Sequence, residues 1–83
     1  MPTILFINGW RFHFYSNERG EPMHIHVEKA EKECKYWIQA DAFNILEAFA
    51  YNVTPRYVRQ VRQTVFENFE YIVSEWQRIQ GRQ

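Results

Sequence analysis

Six residues in the N-terminal half carry side chains suited to chemistry, and they recur with a period of two. Arg11, His13 and Tyr15 alternate with Trp10, Phe12 and Phe14, and His24, His26 and Glu28 alternate with Ile25 and Val27. Alternation of this kind belongs to half-buried strands, whose successive side chains point to opposite faces. Pairing 10–16 with 23–29 as a hairpin, in the symmetric register, sets Tyr15 opposite His24, His13 opposite His26 and Arg11 opposite Glu28. Directly opposed Cβ atoms lie about 5 Å apart. Three imidazoles, a guanidinium, a phenol and a carboxylate would then share one patch, on the sheet face away from the helices.

Three kinds of chemistry fit that patch. His13, His24 and His26 are a candidate metal set, since three imidazoles can hold zinc or a similar ion. His24, His26 and Arg11 are a candidate catalytic set. They would supply base, acid and a cation on phosphate, the equipment of a metal-independent ribonuclease. The third reading is a polar sheet face, solvated or covered by a partner, with Arg11 and Glu28 as a cross-strand pair. Tyr15 and Glu28 are then contact residues. On a solvated face, His24→Ala or His26→Ala would cost about 0.5 kcal/mol or less. The sequence holds no triad, Gly-rich phosphate loop or carboxylate dyad. No cofactor is expected, zinc being the one ion the histidines suggest.

Arg56, Arg59 and Arg62 form a second feature, with no acidic residue between Thr54 and Phe66. Cations near a helix N-terminus oppose its dipole, at up to about 1 kcal/mol each. Phosphate or an acidic partner would favour them, which makes the three arginines candidates for nucleic-acid or partner binding. Glu67, Glu70 and Glu75 follow, so the helix is charge-polarised, as partner-binding helices often are. Cys34 reads as a small buried hydrophobe.

The elements that must position these residues are short. Residues 3–7 are an apolar run stopped by the turn dipeptide Asn8-Gly9. Residues 16–22 are a polar loop, 30–33 a charged turn and 34–39 an aromatic-rich fourth strand. Asp41 is placed to cap a helix over 42–50, in which Phe43, Leu46, Phe49 and Ala50 share a face. Thr54-Pro55 starts a second helix. From Val58 through Val61, Val65, Phe69, Ile72 and Trp76 to Ile79, an apolar residue recurs every three or four positions, and Gly81 ends the run. At about 1.5 Å per residue such a helix would exceed ~35 Å. The fold expected is α+β: a four-stranded antiparallel sheet over 3–39, a short helix over 42–50 and a long helix over 55–80. Both helices pack on the face of Trp10, Phe12, Phe14, Ile25 and Val27.

Composition bounds the rest. Eighty-three residues suit one domain, 1–83. Ten basic residues balance ten acidic ones, which removes global attraction to nucleic acid or membrane as the main driving force. Aromatics at 18% give a small core much buried area. One cysteine allows no intramolecular disulfide, no apolar run is long enough for a bilayer, and the N-terminus has no signal-type core. A cytoplasmic location is expected.

Several stretches together resemble a known family: Met1-Pro-Thr-Ile, Gly9-Trp-Arg-Phe, Phe14-Tyr-Ser-Asn-Glu, and most specifically Glu21-Pro-x-His24-x-His26-Val-Glu-Lys. Lys35-Tyr-Trp-Ile, the break at Asn52 and Trp76 extend the likeness. The chain resembles domain-of-unknown-function family 4160, small bacterial proteins often encoded beside a small protein of domain-of-unknown-function family 2442. That arrangement is similar to a toxin–antitoxin pair. Arg11, His24, His26 and Glu28 match the family's motif positions. His13 stands where the family has an aromatic residue, and the segment 40–51 departs from its usual Asp-Pro helix start. The resemblance implies a partner-binding component of a toxin–antitoxin-like two-gene module. A ribonuclease-type toxin and a nucleic-acid-binding regulator are the alternatives. The partner implied is the second small protein, with nucleic acid or another copy of the chain as further candidates and no membrane.

Overall fold

A computed structural model describes residues 3–15 and 20–80. Five strands, β1 (Thr3–Ile7), β2 (Trp10–His13), β3 (His24–Lys29), β4 (Lys32–Gln39) and β5 (Asn44–Tyr51), form one antiparallel sheet in sequential order. Two helices follow, α1 (Pro55–Glu67) and α2 (Phe69–Gln80). The class is α+β, as expected. The polar loop 16–22 falls in part on residues 16–19, and the Gly81 stop on residue 81; these lie outside the described residues.

Turn chemistry sets the first hairpin. Asn8 and Gly9 both have positive φ, 53° and 82°, which is the two-residue turn whose twist matches that of paired strands. At Gly9 the positive φ is what favours glycine, and a side chain would also displace the end of Lys29. A Cβ there would come within 2.9 Å of Lys29 Cε, whose ammonium donates to the Asn8 carbonyl.

The segment 42–50 is not a helix. A single 3₁₀ turn over Ala40–Ala42 leads into β5, which pairs along β4 from Gln39↔Asn44 to Glu33↔Tyr51. An isolated helix of nine residues is marginal in water. Pairing instead satisfies the exposed edge of β4. The helix-like spacing has a local cause. Lys35 pairs with Phe49 and Tyr36 with Glu47, so Ala48 is an extra residue in β5. A bulge of this kind shifts the alternation by one. Leu46, Phe49 and Tyr51 then lie on one sheet face, opposite Trp37, Lys35 and Glu33, and the three-residue step from Leu46 to Phe49 imitates a helix.

The long helix is also divided. Asn68 lies between α1 and α2 at φ −119°, ψ 23°, and its side chain donates to the Thr64 carbonyl at 2.9 Å. A side-chain amide competing for a helix carbonyl bends the axis. The break lets α1 bury Val61 and Val65, and α2 bury Phe69, Ile72 and Trp76. These pack in one core with Trp10, Phe12, Phe14, Ile25, Val27, Tyr36 and Ile45. Val58 is half-buried. The helices therefore cover one face of the sheet, as the apolar pattern predicts. None of the helices described is long and apolar enough to cross a membrane.

Candidate functional site

β2 and β3 bring the expected residues together on the other face. Arg11 pairs with Glu28 and His13 with His26, the register read from the alternation. The Arg11 guanidinium bonds the Glu28 carboxylate and reaches Thr3 Oγ1 at 3.3 Å. Glu28 Oε1 also lies 3.2 Å from His13 Nε2. The His13 and His26 rings stack at 5.3 Å with planes 14° apart. Tyr15 is beyond the paired part of β2, yet its ring meets His26 edge-on at 4.8 Å and His13 at 5.4 Å. His24 opens β3 opposite Trp37, with Nδ1 2.8 Å from the Pro22 carbonyl. That acceptor requires the proton on Nδ1.

The patch is not solvated. His13 and His24 have no exposed surface and His26 keeps 7%. Aromatic neighbours contribute to this. His24 is edge-on to His26 at 5.0 Å, to Trp37 at 5.5 Å and to Trp76 at 5.0 Å. Trp76 also meets Phe14 at 5.2 Å, so one residue of α2 touches both the core and the histidine cluster. Gln80 donates to the Tyr15 carbonyl and fastens the end of α2 to the end of β2.

Burial bears on the chemistry. A general acid or base must come within hydrogen-bond reach of its substrate. His24 and His26 are walled by rings, and Arg11 is engaged by Glu28. Among the described residues no group of three His, Cys, Asp or Glu side chains is arranged to hold a metal ion. His13, His24 and His26 meet as stacked and edge-on rings, an arrangement of packing.

The three arginines lie on α1, which Thr54 caps by accepting from the Tyr57 N–H. Arg56 and Arg59 are exposed, whereas Arg62 is half-buried with its guanidinium 5.9 Å from the Phe66 ring. Lys29 and Lys32 both approach the Tyr57 ring of the same helix, at 6.0 and 5.8 Å. Farther on, Glu75 pairs with Arg78 at 2.8 Å, which holds its carboxyl below the usual range.

The feature missed in the sequence is β5. Leu46, Phe49 and Tyr51 are 50%, 42% and 64% exposed, on the face that the helices leave open. Trp37 and Lys35 continue the band, the ammonium 4.4 Å from the indole centroid. β5 is also an edge of the sheet. Eight residues long, it contains neither Pro nor Lys, the residues that commonly protect edges. The bulge, which changes which residues share a face, was the signal needed.

The family model of a domain of unknown function, DUF4160, matches residues 9–77. No curated protein and no solved structure matches the chain.

Proposed function

The chain belongs to the DUF4160 family, and from that premise we propose that it is a partner-binding component of a toxin–antitoxin-like two-gene module in the bacterial cytoplasm. The partner is a second small protein encoded beside it, and the docking surface is the open face and outer edge of β5. One observation carries the reading: Leu46, Phe49 and Tyr51 lie exposed together on an edge strand. Exposed edges with apolar side chains pair with other chains, through main-chain hydrogen bonds and alternate side-chain pockets. The ribonuclease reading needs His24 and His26 in reach of RNA, and their burial disfavours it. A nucleic-acid regulator draws support from the exposed Arg56 and Arg59 on α1 and from Lys29 and Lys32 at the Tyr57 ring of that helix.

Co-expression with the adjacent gene's product tests the proposal. A complex that survives size-exclusion chromatography is expected, and Leu46→Asp with Phe49→Asp should abolish it without lowering the unfolding midpoint. Growth arrest by the chain expressed alone, lost in a folded His24→Ala, His26→Ala variant, would restore the ribonuclease. DNA binding with a steep salt dependence would favour the regulator.

A further inference from the structure

Phe43 is held in a conformation that a bulky residue rarely takes. Its φ is 49°, in the left-handed region, where it closes the 3₁₀ turn by donating its N–H to the Ala40 carbonyl. Glycine and asparagine adopt that region readily, and a β-carbon with a ring strains it. The ring is nevertheless 57% exposed. It leans on Phe69 at 4.5 Å and on Phe66 at 5.7 Å, where α1 gives way to α2. A strained backbone that displays an aromatic ring points to a function for the ring.

A hollow lies on each side of this ridge. One, of about 260 Å³, is walled by Phe43, Phe69 and Val73 with Glu70 at its rim. The other, of about 360 Å³, is walled by Phe43, Phe66 and Phe69 with Glu67 and Glu70. Small-molecule sites occupy roughly 300–1,000 Å³; one hollow falls below that range and the other at its lower end, and two small hollows astride one ridge suit successive side chains of a segment. Among the described residues, Glu67 and Glu70 are the only charged ones lining either hollow. Glu67 accepts from Gln63, whereas Glu70 has no ion-pair partner among the described residues.

We propose that the Phe43 ridge is a second docking site, distinct from the β5 face, for a linear segment of a partner protein. The segment carries apolar side chains that straddle Phe43 and an Arg or Lys that pairs with Glu70 and Glu67. The walls fix the apolar anchors, and the uncompensated carboxylates fix the sign of the flanking charge.

A fluorescein-labelled Arg-Leu-Arg-Phe-Arg peptide, titrated against the whole chain by anisotropy, tests this. Glu-Leu-Glu-Phe-Glu and Arg-Ser-Arg-Ser-Arg serve as the controls. The basic apolar peptide should bind at least about tenfold tighter than either control. Phe43→Gly suits the left-handed φ and removes the ring, so it should keep the fold by circular dichroism and weaken binding roughly tenfold. Glu70→Lys should weaken it similarly and favour the acidic peptide. Leu46→Asp with Phe49→Asp should leave peptide binding unchanged, which separates this site from the β5 proposal. Equal binding of the Arg-Ser control, no binding of the basic apolar peptide, or binding indifferent to both Phe43→Gly and Glu70→Lys would overturn the proposal.

Discussion

The imidazoles of His13 and His26 stack across the β2–β3 pair, 5.3 Å apart and nearly parallel, inside the protein rather than on its surface. Glu28 closes one side of the stack through His13 Nε2, and Arg11 holds Glu28 in turn. The cluster that looks catalytic in the sequence is a polar core of the second sheet face.

That relationship changes what alanine should do. His13→Ala or His26→Ala removes a buried ring and leaves its neighbours facing a void. Each should cost about 2–3 kcal/mol in urea unfolding, against the 0.5 kcal/mol or less of a solvated face. A loss below about 0.5 kcal/mol would show that the rings are solvated after all.

Phe69 tests the helix-covered face. It is buried at the start of α2 and packs with Phe43 and Phe66. Phe69→Ala should cost roughly 3–5 kcal/mol. Total stability is about 5–15 kcal/mol for ordinary domains, so the variant should melt far below the parent. A melting temperature within a few degrees of the parent would place Phe69 outside the core.

Cys34 and Tyr36 make the fold sensitive to alkali. Burial pushes the Cys34 thiol up to about 11, opposed by the nearby Tyr36 side chain and helped by the charges of Glu47 and Glu33. Burial, foremost, also pushes the Tyr36 phenol up. The unfolded thiol ionises first, near its ordinary 9.0. Stability should be complete below about pH 9 and fall from there towards pH 11, with the thiol contributing up to about 2–3 kcal/mol. Denaturant midpoints across that window measure the slope, and Cys34→Ala should flatten part of it. A flat parent profile would contradict the burial.

Ala30 offers a stabilising change. It is the first residue of the two-residue turn between Lys29 and Lys32 and has φ of 54°. A hairpin turn with positive φ at that position favours glycine. Ala30→Gly should therefore gain about 1 kcal/mol. An unchanged or lower urea midpoint would mean that the turn does not hold this conformation in solution.

Local rules made much of the molecule legible in the sequence. Asn8-Gly9 names its turn because only a few residues accept positive φ. The alternation from Trp10 to Glu28 fixes the hairpin register, because a slip of one residue would turn Phe12 and Val27 out of the core. Thr54 with Pro55 marks the start of α1, because a capping oxygen and a preset φ suit that end of a helix. Each of these acts within a few residues or across one tight pairing. Tertiary structure decided the rest. Residues 44–51 became a strand because β4 offered an unpaired edge, and the bulge at Ala48 disguised the strand's period. Asn68 divided the long helix by bonding back to Thr64, a choice made where both halves must reach one core. Trp76, distant in sequence, packs against His24 and helps to bury it, and no local pattern encodes a contact made only once the helices dock.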